Sequence, residues 1–341
     1  MIRAELCQDP VAWDRYVESH PAAANYHRWC WRQVIEQTFG HEAYYFNAVK
    51  DGALQGILPL FSIRSRLFGN SLVSMPFFSY GGLLTDSAEA GEALIAKAVE
   101  LAQRLSIRHI ELRRGGQTHV DWQKTTPKIT MDVEIRPTVD ELWNSLSAKV
   151  RKRVRHARKA GFEARWGSIE DVGNFYTVFA TNMRNLGTPV YPRAWFENMC
   201  LRCPRDVRIL TLWSNGKPVA SAFLIAFRGI LELPWAASLD ECRRDFAPLL
   251  LYWTMLEWAT QNGFQRVDLG RCTPGSGNHA FKRHWTQEER PLDWYYWVAT
   301  GSSVPQTRPE NTRYQLAIKV WKHLPLAMAN QLGPRIVRAL P

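Results

Sequence analysis

Residues 268–285 read DLGRCTPGSGNHAFKRHW and gather Asp268, Arg271, Cys272, His279, Lys282, Arg283 and His284 into eighteen positions. A strand is expected to end at Leu269, a loop with Gly270, Pro274, Gly275 and Gly277 to follow, and a denser pattern to resume at Phe281, Lys282 and Trp285. A glycine-containing loop lets backbone come close to a bound group, and the cations beside it suit negative charge on a ligand or in a reaction. Neither the phosphate loop of nucleotide hydrolases nor the dinucleotide-binding fingerprint is present, since their spacings are missing. Asp268, His279 and His284 are candidates for a general base by position. Cys200 and Cys272 have no base at a recognisable spacing and are rejected as nucleophiles.

A second cationic segment, KVRKRVRHARK at 149–159, holds seven Lys or Arg, one His and no acid. Trp143, Leu146, Val150, Val154, Ala157 and Gly161 recur every three or four residues, which predicts one helix with a single apolar stripe. Arg151, Lys152, Arg155, Arg158 and Lys159 then fall on a continuous basic face, with no acid to form relieving i,i+4 pairs. Such a face calls for counter-ions or a polyanion.

The elements that must carry these segments occur twice. Strand-like runs at 44–63 and 207–233 each turn on a preferred hairpin dipeptide, Asp51-Gly52 and Asn215-Gly216. A helical segment follows in each half (88–105, 247–262), and then a short strand, HIELR at 109–113 and RVDLG at 266–270. The turn glycines and the acids Glu111 and Asp268 keep a nearly constant offset, which points to an internal duplication of one α/β unit. Residues 132–138 are the expected hand-over, with Pro137 disfavouring helix at Arg136. Domains are therefore expected at 1–136 and 137–298, followed by a basic tail at 299–341.

The chain has 341 residues, 46% hydrophobic and 22% charged, so it has material for packed cores and lacks the profile of disorder. A net charge of +11 favours polyanionic partners. No run approaches the roughly 20 apolar residues of a membrane span, and the N-terminal residues lack a signal-peptide core, so a cytoplasmic protein is expected. Only Cys200 and Cys203 have CxxC spacing and no second pair completes a zinc site; reduced structural thiols and no metal are expected. In the tail, Arg313, Lys319, Lys322, Arg335 and Arg338 stand beside Leu316, Ile318, Val320, Trp321, Leu324 and Leu326. Such a segment either lies on an anionic membrane surface or docks on the body, and breaks at Pro325 and Pro334 favour docking. Phe77, Phe78, Ser79, Tyr80, Gly81 and Gly82 read as a buried strand turning at the glycines, with Tyr80 the one candidate for contact with an acceptor.

Together, the duplicated hairpin-containing unit, the helix AKVRKRVRHARKAGF and the late segment HAFKRHW resemble the FemAB family of non-ribosomal peptidyltransferases, built from two GNAT-like (acetyltransferase-like) domains. The resemblance covers about residues 10–298, and Trp321, Leu324-Pro325 and Gly333-Pro334 are similar to a branch associated with exosortase and PEP-CTERM gene clusters. It implies an α/β (α+β) fold of two tandem GNAT-like domains, with mixed, mainly antiparallel sheets flanked by helices. It further implies transfer of an aminoacyl or acyl group from an activated carrier, aminoacyl-tRNA or acyl-CoA, onto an amine of a nucleotide- or lipid-linked sugar or peptide precursor of the envelope or exopolysaccharide. No permanently bound cofactor is implied. Lys282 matches the family's FK lysine and inherits stabilisation of negative charge near the reacting carbonyl or a substrate phosphate. Arg151, Arg155 and Lys159 match polyanion binding by the basic helix. Arg243 and Arg244, with Arg271, are further expected anion contacts, since residues 243–248 precede the second helix where GNAT proteins hold the CoA pyrophosphate; the glycines of that loop are missing here.

Aminolysis of an ester or thioester needs an unprotonated amine, an aligned carbonyl and a partner for the oxyanion. Two other readings compete: a CoA-dependent N-acyltransferase of the same fold, and a non-catalytic RNA-binding protein in which Lys282 is dispensable.

Overall fold

The computed structural model describes residues 2–65, 69–113, 122–304 and 312–340. The chain forms two compact units, one of Met1–Pro127, Pro291–Arg308 and Arg338–Pro341, the other of Lys128–Arg290 and Pro309–Val337. The first half runs β1 (Arg3–Leu6), α1 (Pro10–Ser19), α2 (Cys30–Phe39), β2 (Glu42–Lys50), β3 (Ala53–Ser65), β4 (Gly69–Val73), β5 (Leu84–Thr85), α3 (Ala88–Arg104) and β6 (His109–Arg113). After β7 (Gln123–Glu134) come α4 (Val139–Ser145), α5 (Ala148–Lys159), β8 (Glu163–Gly167), α6 (Val172–Leu186) and α7 (Arg193–Arg202). Next are β9 (Val207–Ser214), β10 (Lys217–Phe227), β11 (Ile230–Ser238), α8 (Ala247–Gln261), β12 (Arg266–Cys272) and α9 (Gly277–Lys282). The chain closes with β13 (Glu289–Val298), α10 (Thr312–Lys322) and α11 (Leu326–Arg338).

The duplication expected from sequence is present. Strands in the first unit run β1-β2-β3-β4-β6-β13 and those in the second β8-β9-β10-β11-β12-β7. In each unit two helices separate the first two strands, and one long helix, α3 or α8, makes a crossover. That crossover produces the parallel pairs β4–β6 and β11–β12 in sheets that are otherwise antiparallel. Both hairpin turns have the left-handed backbone of a type I′ turn, with φ +52 and +81 at Asp51-Gly52 and +50 and +72 at Asn215-Gly216.

Period-two alternation sends the two faces of each sheet to different helices. In the second unit Leu210, Leu212, Ala220, Ala222 and Leu224 join the core that includes α5 and α8. Phe223, one residue out of step, meets Phe175 and Phe196 from α6 and α7 at 5.5 and 5.2 Å between ring centroids. In the first unit Leu58, Leu60 and Leu72 pack with Leu94 and Leu101 of α3. Each such buried side chain is worth about 1.5–3 kcal/mol, so both faces contribute substantially to stability.

Several expectations need correction. Strand β12 runs on to Cys272 instead of ending at Leu269, and residues 77–82 form turns between β4 and β5 instead of a strand. The helix expected from Trp143 to Gly161 is two helices: Leu146 is extended, and the Ser147 hydroxyl accepts the Val150 N–H at 3.3 Å, starting α5 anew. In the tail Pro334 lies inside α11 instead of ending it, in a helix anchored by buried Ala329, Gly333 and Val337. Cys7, Cys200, Cys242 and Cys272 are free and buried as expected, whereas Cys30 and Cys203 are each disulfide-bonded and not reduced. Residues 305–311 of the tail, Arg308 among them, and the side chain of Arg313 lie outside the described residues. No helix among the described residues is long and apolar enough to cross a membrane.

Candidate active site

The parallel ladder between β11 and β12 pairs Ile230 with Arg266, Leu231 with Val267 and Glu232 with Asp268, and ends there. Against β7, the register of β12 slips between Asp268 and Arg271, leaving one extra residue in a bulge. Gly270 occupies it with φ +75, and a Cβ there would fall 2.4 Å from the Leu233 carbonyl oxygen. Only glycine satisfies both conditions.

Asp268 braces the bulge. One carboxylate oxygen accepts the Gly270 N–H at 2.7 Å and the Thr130 hydroxyl, and the other accepts from Arg290 at 2.9 Å. Arg290 also donates to Asp132 at 3.0 Å. Asp268 is 1% exposed, while Arg290 reaches it from the surface, so a buried carboxylate has its acceptors occupied by structural donors.

The bulge turns carbonyl groups toward Lys282. Its ammonium donates to Gly270 O at 2.5 Å and to Arg271 O at 3.1 Å, using two of three donors among the described residues. Lys282 is placed by the short helix α9, whose N-cap Ser276 accepts the His279 N–H at 3.2 Å. Burial pushes the Lys282 pKa from 10.5 down to about 8, opposed by the charges of Cys272, Asp268 and Glu232 and assisted by Arg271. A lysine so held is protonated near neutrality and poorly solvated, which makes it a strong partner for developing negative charge.

The other predicted residues divide by position. His279 accepts the Gly275 N–H at Nδ1 (3.0 Å) and sets Nε2 against Glu289 at 2.8 Å. Both ring nitrogens are thereby engaged, and the imidazole holds the loop that leads into α9. His284 directs Nδ1 at the carbonyls of Ala280 and Phe281 and lies 3.5 Å from Arg153 through Nε2. Arg271 is half-buried beside Lys128, whose ammonium donates to Thr273 at 2.5 Å. Lys128 is lowered in pKa by burial and then by Arg271. The Cys272 thiol is pushed up by burial, and that of Cys200 to about 12, which agrees with their rejection as nucleophiles.

The basic helix α5 is only partly as expected. Val150, Val154 and Ala157 are buried, but Arg158 pairs with Glu257 of α8 at 3.0 Å and lies 5.7 Å over Trp143. The relieving acid comes from a tertiary neighbour, which helical spacing cannot reveal. Arg151 donates to Asn144 at 3.3 Å, and Arg155 lies 5.5 Å over Trp143. Among the described residues Lys152, Arg155 and Lys159 have no acidic partner.

The start of α8 explains what the missing glycines do. Phe246 is left-handed (φ +58), Pro248 has no N–H, and the Leu249 and Leu250 N–H groups bond back to Phe246 O at 2.9 and 3.1 Å. Few amides are left to cradle a pyrophosphate. Side-chain cations surround the turn instead: Arg153 lies 5.3 Å over Phe246, Arg243 pairs with Asp240 at 3.0 Å, and Arg244 is exposed.

The first unit has the same strand pair, with Val73 opposite Glu111, but Arg113 stands where the second unit has Gly270. Arg113 is 1% exposed and binds Glu111 at 2.6 Å and the carbonyls of Phe78 and Met75 at 2.7 and 3.4 Å. Tyr296 completes the set by donating to Glu111 at 2.9 Å. This strand end therefore carries a guanidinium already engaged by an acid and two carbonyls. Tyr80 belongs to this unit, half-buried with its ring 5.3 Å from Tyr26, and Phe77 and Phe78 are core as expected. Sequence reasoning missed Thr130, Arg290, Lys128 and Arg153; Arg153 lay in the basic run, whereas the others had no local signal.

Residues 144–283 match the model of the acetyltransferase (GNAT) domain, which indicates an acyltransferase and spans α5 to α9. Among solved structures, FemX has a TM-score of 0.70 at 15% identity over 94% of this chain and 100% of that one. A tandem GNAT protein from the clavulanic acid biosynthesis pathway has a TM-score of 0.54 at 14% identity over 89% and 99%. The C-terminal domain of a lysylphosphatidylglycerol synthetase from Agrobacterium fabrum, named as putative, has a TM-score of 0.57 at 12% identity over 86% and 92%. At these identities the likeness is one of fold, and it agrees with the tandem GNAT-like architecture expected from sequence. No curated protein matches the chain.

Proposed function

We propose that the chain is a FemAB-like acyltransferase that moves an acyl or aminoacyl group from a phosphate-bearing carrier to an amine of an envelope or exopolysaccharide precursor. One observation carries this reading: a buried, weakly solvated Lys282 held by two backbone carbonyls where the parallel ladder ends. The unprotonated acceptor amine attacks the ester or thioester carbonyl, a tetrahedral oxyanion forms, the nitrogen gives up a proton, and collapse breaks the bond to the carrier, which takes up that proton as its hydroxyl or thiol. Lys282 supplies the cation for that oxyanion, and Asp268 acts through the Gly270 bulge that orients it. His279 fixes the loop before α9. Arg151, Arg153, Arg155, Lys159, Arg243 and Arg244 meet the carrier's phosphates in place of helix-end amides, and Arg271 adds positive charge beside Lys282. The donor is an aminoacyl-tRNA or an acyl-CoA; no cofactor is permanently bound.

Of these donors the CoA thioester is favoured by the GNAT domain match and gives the second reading, a CoA-dependent N-acyltransferase. Calorimetric titration with acetyl-CoA separates the two. Saturable heat that persists at moderate salt assigns the thioester. Absence of heat, with charged tRNA retained in filter assays and consumed in the presence of acceptor, assigns the aminoacyl ester. RNA binding without turnover, unchanged in Lys282→Ala, would defeat the enzyme reading.

A further inference from the structure

We propose that the C-terminal helices α10 and α11 form a docking surface for an anionic phospholipid bilayer. The inference uses no residue of the transfer site and stands or falls independently of it. One stripe of α11, Ala329, Gly333 and Val337, is buried, and a Cβ on Gly333 would lie 2.7 Å from the Val190 nitrogen, so that face is committed to the protein. The adjacent stripe at the same four-residue spacing is Met328, Leu332 and Ile336, which are 47%, 36% and 40% exposed. On α10, Ile318 lies against Gly187, while Leu316 and Val320 are 62% and 57% exposed. These two helices thus hold five of the ten large exposed hydrophobic residues described for the chain, which is a concentration rather than scatter.

The charge around the stripes identifies the occupant. Lys319 and Arg335 are exposed beside the stripes, Lys322 lies with Ile318 against Gly187, and no acid occurs from Thr312 to Pro341. A second copy of the chain would bring these cations against each other, and a nucleic acid would leave the apolar stripes unused. Apolar side chains entering the acyl boundary while lysines and arginines meet anionic headgroups satisfy both features. With 11 and 13 residues, the helices are of a length to lie in the interface plane and not to cross it.

The test is co-sedimentation of the full chain with phosphatidylcholine vesicles, with and without phosphatidylglycerol, over a range of salt. Binding is expected to require phosphatidylglycerol and to weaken with salt. Val320→Ser with Leu332→Ser, at exposed positions, should lower it about tenfold while leaving the circular dichroism spectrum and donor binding unchanged. Lys319→Gln or Arg335→Gln should each lower it about fivefold. Equal binding to both vesicle types, no binding, or wild-type binding by the double serine variant overturns the proposal. So does a solution dimer that the same variant dissociates in a protein that ignores the vesicles.

Discussion

The ammonium of Lys282 lies 2.5 Å from the carbonyl oxygen of Gly270, a residue whose left-handed backbone turns that carbonyl out of the β12 ladder. The bulge and the lysine are therefore one device: without the extra residue the carbonyl would be spent on a neighbouring strand, and without the carbonyl a buried ammonium would lack a partner.

Removal of the side chain should expose its share of the chemistry. Lys282→Ala is expected to fold, to bind donor with near-normal affinity and to lose roughly 10²–10³ in kcat, the range for loss of one oxyanion partner. Steady-state kinetics with the cognate donor checks it; an unchanged kcat removes Lys282 from the mechanism.

The depressed pKa gives this residue two pH signatures. Activity needs the ammonium, so the Lys282-dependent part of the rate should fall as pH rises through about 8, and Lys282→Arg should lose that alkaline limb even at lower activity. Stability moves the other way. Between about 8 and 10.5 the unfolded lysine keeps a proton that the folded one has released, so stability rises with pH. Relative to Lys282→Met, wild type should gain roughly 3 kcal/mol across that window, because a tenfold change in proton affinity between the folded and unfolded chain is worth about 1.4 kcal/mol. Paired urea titrations at the two ends measure the difference, and a constant gap would contradict the assignment.

The duplicated architecture was legible because its signals are local: two left-handed dipeptide turns, alternating strands and one apolar helix per half. That Asp268, the glycine loop and Lys282 come together at one strand end was legible for the same reason, since one short run of sequence holds them. What could not be read is what distant segments do to one another. Glu257 neutralises Arg158 across α5 and α8, Thr130 and Arg290 occupy the Asp268 carboxylate, and the Leu249 amide closes on Phe246 because the backbone there is left-handed. None of these leaves a spacing. Helical periodicity consequently overdraws the basic face of α5 at Arg158, and position in the chain does not reveal that both ring nitrogens of His279 are engaged.

Gly270 and Gly216 both have positive φ, +75 and +72, but differ in surroundings: a Cβ on Gly216 meets nothing within 4 Å. Gly216→Ala should cost about 1 kcal/mol for backbone strain alone. Gly270→Ala adds a clash with the Leu233 carbonyl and should cost more than about 3 kcal/mol, with loss of activity exceeding loss of fold. Chemical denaturation of the two variants checks the ranking, and equal costs would mean that the bulge relaxes freely.

Arg153 and Arg158 share a helix, a side-chain type and a sequence neighbourhood, yet should respond differently to alanine. Arg158 is engaged by Glu257 and lies over Trp143, so Arg158→Ala should cost below about 1 kcal/mol in stability and leave donor affinity intact. Arg153 faces the Phe246 turn at the start of α8, where Pro248 and the Leu249 bond have removed the amides that would bind phosphate. Arg153→Ala should raise the donor KM several-fold with kcat nearly unchanged, the mark of lost ground-state binding. With a tRNA donor it should also reduce the salt dependence of binding by about one counter-ion. Donor titrations of both variants at several salt concentrations decide the matter; equal effects would mean that α5 acts as a diffuse positive field and that the turn at Phe246 is not where the carrier's phosphates rest.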